Sequence, residues 1–175
     1  MLEEIGFDKL SLEGVAARAG VGKATIYRWW PNKSALAMEA LLRAVEPMPP
    51  IGDSGSSRAD IELHMLQLSQ LLRGKSGRVV REMIALAQFE PESKRIFNDN
   101  YLEPRRLALV SVLRRAAQRG EFRDDADLSL VFDLLYAPLL QRLLTGQGDI
   151  DERQVQAQLK LVLGSITLPT LIDAP

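Results

Sequence analysis

The sequence predicts an all-α protein, an N-terminal helix-turn-helix followed by a larger helical domain. Three observations predict it. No segment sustains the two-residue alternation of a half-buried strand, and the β-branched residues are scattered. Apolar residues recur instead at three- and four-residue spacing, between breaks rich in Gly, Pro, Asn and Ser. Over 175 residues, 46% are hydrophobic and 26% charged, a globular profile long enough for a small domain joined to a larger one.

Residues 11–20 read as a short helix with Ser11 as its N-cap. Gly20-Val21-Gly22 breaks it, and Gly20 suits the left-handed backbone of a helix C-terminus. Residues 23–30 form a second helix, stopped by Pro31, and Asn32 caps a third that runs to about Glu46. Pro47 to Ser57 is rich in Pro, Gly and Ser and reads as a linker or disordered loop. The expected boundaries are therefore 1–46, a linker over 47–59, and a second domain over 60–175. In that domain Asp60 to Arg73 is amphipathic, with Ile61, Met65, Leu68 and Leu72 on one stripe. Gly74 to Gly77 reads as a turn, and 78–89 as a helix ended by Glu90-Pro91. A long helix over 92–119 contains Pro104, which should kink or split it. The most apolar helix spans 126–145, and the last 151–165.

Composition removes several classes of function. With no cysteine, there is no disulfide, thiolate nucleophile or cysteine metal site. His64 is the one histidine, so a multi-histidine metal centre has no support. No metal or cofactor is expected. Nor is there a nucleophile–base pair or a phosphate-cradling glycine loop, which leaves an enzyme reading without a site. No stretch reaches ~18 consecutive apolar residues, so no membrane-spanning helix is expected. The opening Met1-Leu2-Glu3-Glu4 is acidic, unlike a signal peptide, and the default compartment is the cytoplasm.

The net charge of −1 hides an asymmetry. Between Glu13 and Glu39 there is no acid, and the window holds Arg18, Lys23, Arg28 and Lys33. A locally basic segment suits a polyanion-binding face, although a chance gap in the acids gives the same pattern. The two short helices fit a helix-turn-helix: Ala16 allows a close crossing, and Val15, Val21 and Ile26 can fill the small core. The second helix then presents Lys23, Thr25, Tyr27 and Arg28, types that bind phosphates and base edges. Lys33 begins the next helix, where its charge and the helix N-terminus can grip one phosphate together. Trp30 reads as core. A plain helical hairpin is the competing reading.

The run Ile5-Gly6-Phe7-Asp8-Lys9-Leu10-Ser11-Leu12, followed by Val15-Ala16-Ala17-Arg18-Ala19-Gly20-Val21-Gly22-Lys23-Ala24-Thr25-Ile26-Tyr27-Arg28-Trp29-Trp30-Pro31-Asn32-Lys33, resembles the DNA-binding domain of TetR-type transcriptional repressors. Tyr101 to Arg106 and Tyr136 to Gly146 resemble the ligand-binding domain of such regulators, less distinctively. The resemblance implies an all-α homodimer bound to double-stranded operator DNA. It assigns DNA contacts to Ser11, Lys23, Thr25, Tyr27, Arg28, Trp29 and Lys33. Gly22 departs from the family's usual Ser, which removes one side-chain bond to phosphate. The family's first helix normally starts well upstream, so the chain is expected to be shortened at its N-terminus.

In the second domain His64 lies on the apolar stripe of its helix, as a core histidine or as a polar group lining an effector pocket. Gln88, Phe89, Tyr101 and Tyr136 are the other pocket candidates. Arg105-Arg106 and Arg114-Arg115 are expected to solvate an outer face. The helix 126–145 is apolar nearly all round, and a subunit interface would absorb the surplus. With the last helix it would form a four-helix contact, through Leu139, Leu143, Val155, Leu159 and Val162. The function expected is a ligand-responsive repressor released by a small hydrophobic effector. A DNA-binding or interaction module without an effector is the alternative. An enclosed apolar pocket would favour the sensor.

Overall fold

The computed structural model describes residues 7, 9–45 and 47–168. Among the described residues there are nine α-helices and no strand, only an isolated bridge between Phe122 and Thr167. The chain divides into two compact units, Met1–Val45 with Val79–Leu102, and Glu46–Arg78 with Glu103–Pro175. The division departs from the expected boundaries, because residues 79–102 cluster with the helix-turn-helix.

In the first unit, α1 (Leu12–Ala19) starts at Ser11, whose Oγ accepts from the Gly14 N–H at 3.1 Å. It ends at Gly20, whose φ of 67° is the left-handed cap expected there. After that turn comes α2 (Lys23–Trp29), with Gly22 at its N-cap and no side-chain cap bond. Leu12, Ala16 and Ile26 bury against one another, flanked by Val15, Trp30 and Leu36. Val21 does not join them. It is 41% exposed, because it lies in the turn between the helices and not on a helix face. Asn32 caps α3 (Lys33–Ala44), accepting from the Ala35 N–H at 2.9 Å. This helix ends at Ala44 with Val45 as its C-cap, and Glu46, where its end was expected, lies outside the described residues. Pro91 opens α6 (Pro91–Phe97), which packs on α3. A π-helical turn follows at Asn98–Leu102, and Phe97 stacks on Tyr101 across it, ring centroids 5.2 Å apart.

The second unit is built from α4 (Ser57–Arg73), α7 (Glu103–Gln118), α8 (Leu128–Thr145) and α9 (Glu152–Ile166). The expected helix over 92–119 is split as Pro104 required, and Pro104 sits in the first turn of α7, where no helical N–H is lost. Helix α4 packs on α7, α8 and α9, and α8 packs on α7 and α9. The core holds Ile61, Met65 and Leu68 of α4, Leu109 and Leu113 of α7, Leu135 and Leu139 of α8, and Leu163 of α9. The segment expected as a linker or disordered loop is pinned to this unit. Arg119 grips Asp53 through two bonds of 2.7 and 2.8 Å, and Arg115 donates to the Gly52 carbonyl at 2.8 Å. The Ser57 N–H and hydroxyl both reach Glu121, at 2.8 and 3.0 Å. Arg115 is therefore not a purely solvated residue, and neither is Arg106, which pairs with Asp133 at 2.8 Å. Helix α8 is long and apolar enough, by length and composition, to cross a membrane, where the sequence reading expected none. Its Val131, Phe132, Leu135, Tyr136, Leu139 and Leu143 are spent on the protein interior instead.

Helix α5 (Lys75–Phe89) starts three residues earlier than expected, which leaves only Gly74 as the turn. The crossing requires Gly77: a Cβ there would stand 1.8 Å from the Leu72 carbonyl oxygen. Gly77→Ala must push two backbones apart. It is expected to cost about 1–3 kcal/mol, read as a lower denaturation midpoint at unchanged denaturant slope. A wild-type midpoint would show that the crossing is not held this closely.

Candidate nucleic-acid interface and effector region

The side chains of the second short helix are displayed as the sequence predicted. Lys23, Thr25, Tyr27, Arg28 and Trp29 are all exposed, and Trp29 is 67% accessible. Only Ile26 of α2 is buried, so one residue anchors the helix and the rest remain for contact. The Arg28 guanidinium lies 5.5 Å from the Trp29 ring centroid, a cation–π contact that holds both side chains on one side of the helix. Lys33, at the first position of α3, sits with its ammonium 4.5 Å over the Phe7 ring, at the N-terminal end of that helix. Ser11 is exposed and occupied as a cap acceptor, while its hydroxyl hydrogen is still a donor. Trp30 is half-buried, with Nε1–H donating to Glu39 at 2.7 Å, so its role is to fix α3 against α2.

One contributor was missed by sequence reasoning. The Tyr27 hydroxyl donates to the Glu13 carboxylate of α1 at 2.7 Å. That bond holds the Glu13 carboxyl below the ordinary carboxylate range and raises the Tyr27 phenol. It fixes the tyrosine ring across the two helices and puts one negative charge at the edge of a basic face. Glu13 was legible only as the last acid before the basic window.

The effector candidates divide between the units. In the second unit His64 and Tyr136 come together: His64 is 4% exposed and its Nε2 lies 2.6 Å from the Tyr136 Oη. Burial, and then the nearby Arg105 charge, lower the His64 pKa to about 4. Phe132 stacks on Tyr136 at 4.3 Å, and the Arg106 guanidinium covers Phe132 at 4.4 Å. In the first unit Tyr101 is buried beside Phe97. Gln88 and Phe89 need correcting. Gln88 is exposed and bonds back to the Ile84 carbonyl, and Phe89 is 85% exposed at the end of α5, so neither is an enclosed lining residue. An open groove of about 400 Å3 lies between α4 and α9, lined by Arg58, Glu62, Gln156, Lys160, Leu159 and Leu163 among others. Its rim is charged and polar, unlike the apolar pocket expected.

The interface candidates also need correcting. Leu139, Leu143, Val155 and Leu159 are buried within the chain itself, and Val162 is half-buried. A helix apolar all round has both an inward and an outward set, and composition does not say which is which. The structure does. On α8 the exposed stripe is Leu130, Leu134, Ala137, Gln141 and Leu144, and on α9 it is Ala157, Leu161 and Gly164.

A two-helix reading head with an exposed basic and aromatic second helix, followed by a separate helical unit, defines a helix-turn-helix regulator of transcription. Comparison with known proteins then fixes the family. Residues 1–41 match the family model for bacterial regulatory proteins of the tetR family, and residues 51–162 the tetracyclin repressor-like C-terminal domain. The chain belongs to the TetR family of transcriptional regulators. It is 35% identical over 156 residues to the Bacillus subtilis HTH-type transcriptional regulator YdeS, spanning 89% of this chain and 79% of that protein. Among solved structures it is similar to the TetR family transcription regulator SCO0332, with a TM-score of 0.77 and 31% identity over 96% of this chain and 92% of that one. The Bacillus subtilis regulator FadR, solved with stearoyl-CoA, shares the fold at a TM-score of 0.68 and 19% identity, over 94% and 93% of the two chains.

Proposed function

We propose that this chain is a cytoplasmic, ligand-responsive repressor that binds a palindromic operator as a homodimer and leaves it when a small hydrophobic effector occupies the C-terminal unit. The observation that carries the DNA reading is α2. Lys23, Thr25, Tyr27, Arg28 and Trp29 are exposed on it, and only Ile26 is spent on packing. A helix presented in this way can enter a major groove. The dimer reading rests on the exposed apolar stripes of α8 and α9, placed at helical three- and four-residue spacing on two helices that pack together. Gly164 has open space around its Cβ position, so a partner helix can approach there closely. TetR-family regulators bind DNA and small-molecule effectors as dimers, and a second copy of the chain is the occupant proposed for this face.

Fluorescence-anisotropy titration of the upstream region across a salt series tests the DNA reading. Binding no better than to random duplex would overturn it. Lys33→Ala should weaken binding to every sequence alike and lower the salt slope by about one, as loss of a phosphate contact does. Arg28→Ala and Thr25→Ala should instead lose about 1–3 kcal/mol of discrimination at particular base pairs. A Lys33→Ala protein with altered base preference but an unchanged salt slope would contradict the phosphate assignment.

A further inference from the structure

Tyr27 stands on the exposed side of α2 with its hydroxyl proton already committed. A phenol oxygen carries one proton and acceptor lone pairs. Tyr27 donates that proton to the Glu13 carboxylate of α1, at 2.7 Å. Both side chains are exposed, so the bond lies on the basic and aromatic face itself. Lys23, one helical turn before Tyr27 on the same face of α2, adds its charge to that carboxylate. What the phenol oxygen offers outward is therefore lone pairs alone. A phosphate oxygen accepts and does not donate, so the lone pairs hold nothing for it. Nor does a phosphate readily take the proton from Glu13. A phosphodiester is a weaker base than a carboxylate, and the two negative charges repel. The groups that can use the lone pairs are donors. In a major groove those are the base amino groups, adenine N6 and cytosine N4. The neighbouring candidates Lys23, Arg28, Trp29 and Lys33 carry donors only, which suit phosphates and the acceptors of guanine. Tyr27 adds the acceptor that these four lack.

We infer that Glu13 is a positioning residue for base recognition: by taking the Tyr27 proton it makes the phenol oxygen an acceptor for one base amino group of the operator, and not a phosphate ligand. Glu13 itself need not touch the DNA. Its bond joins α1 to α2 across fourteen positions and fixes where the oxygen points. Direction matters because the amino group moves to the other strand when a base pair is reversed. A fixed acceptor distinguishes the two orientations, and a freely rotating one averages over them. An exposed hydrogen bond contributes little to folding, so the loss of this one should be read in recognition and not in stability. This role rests on the DNA-binding reading above and deepens it. It adds a residue whose charge alone would place it outside a polyanion site.

The test selects binding sites from a random duplex library with the full chain and with Glu13→Ala, Glu13→Gln and Tyr27→Phe. The three variants should melt as the wild type does, since both side chains are exposed. The wild-type motif should contain a position where Glu13→Ala and Tyr27→Phe each lose preference by roughly 2–10-fold, with the other positions kept. Glu13→Gln should keep that preference, because its amide oxygen still accepts from Tyr27. At that position adenine is then replaced by purine, or cytosine by 2-pyrimidinone, which deletes the amino group alone. The wild type should lose affinity by the same factor relative to Tyr27→Phe. A Glu13→Ala motif identical to the wild type overturns the role, whether or not the variant binds all duplexes more tightly. A uniform loss across sequences in Tyr27→Phe also overturns it, since that is the mark of a phosphate contact. So does a Glu13→Gln protein with the flattened position of Glu13→Ala, which would make the charge, and not the accepted proton, the cause. A wild type that selects no motif ends the DNA-binding reading and this role with it, whereas a motif unchanged by Glu13→Ala ends the role alone.

Discussion

Leu134→Glu combined with Leu161→Glu yields a folded monomer whose operator affinity is lower by roughly 10²–10⁴-fold, the gain normally supplied by two linked recognition helices. Both residues are exposed in the chain, at 46% and 76%, so a charge there meets solvent when no partner is present. The cost appears only when a second copy must bury it. Sedimentation velocity reads the assembly and circular dichroism reads the fold. Leu139→Glu provides the contrast. Leu139 is fully buried, and a carboxylate there has no solvent and no partner, so unfolding is expected, with more than about 4 kcal/mol lost. The reverse pattern, a dimeric double variant or a folded Leu139→Glu monomer, would move the interface away from the α8 and α9 stripes.

That contrast shows where sequence reading stops. Caps and breakers were legible because their chemistry is local: Ser11, Gly20, Asn32 and Pro104 each act on backbone within a few residues. The outward set of α2 was legible for the same reason, since a short amphipathic helix leaves little choice of face. Helix α8 offered no such bias. Leu139 and Leu134 are the same residue type five positions apart, and only the packing of α4, α7 and α9 around the helix decides that one is interior and the other surface. Phe89 failed similarly: an aromatic near a helix end reads as a pocket-lining candidate, and the structure leaves it 85% exposed. The Tyr27–Glu13 bond joins residues fourteen positions apart, beyond the reach of any local pattern. Gly77 reads as a turn glycine in sequence, and the structure adds what the pattern does not give, the Leu72 carbonyl five residues back that leaves no room for a Cβ.

His64 ties the stability of the second unit to pH. Its folded pKa lies at about 4, below the ordinary 6.5, because burial disfavours the imidazolium and the Arg105 charge adds to the penalty. The sign follows from proton counting. Between pH 6.5 and about 4 the unfolded chain holds a proton on this ring that the folded chain does not. Unfolding therefore takes up a proton, and stability falls as pH falls through that window. Above the window the contribution is fully present, and below it both states are charged and the loss is complete. A shift of this size corresponds to about 3 kcal/mol, order of magnitude. Carboxylates titrate in the lower part of the same window, so the wild-type slope alone does not isolate the ring. His64→Gln does. Glutamine cannot titrate, and its side-chain amide can still hydrogen-bond to Tyr136. Urea denaturation of both proteins from pH 7.5 to 4 should show the wild type losing about 3 kcal/mol more than the variant across the window. Ring NMR of the single histidine should place its inflection near 4 in the folded protein. An inflection near 6.5, with parallel stability curves, would mean that water reaches the ring, and that the Tyr136 bond does not seal it.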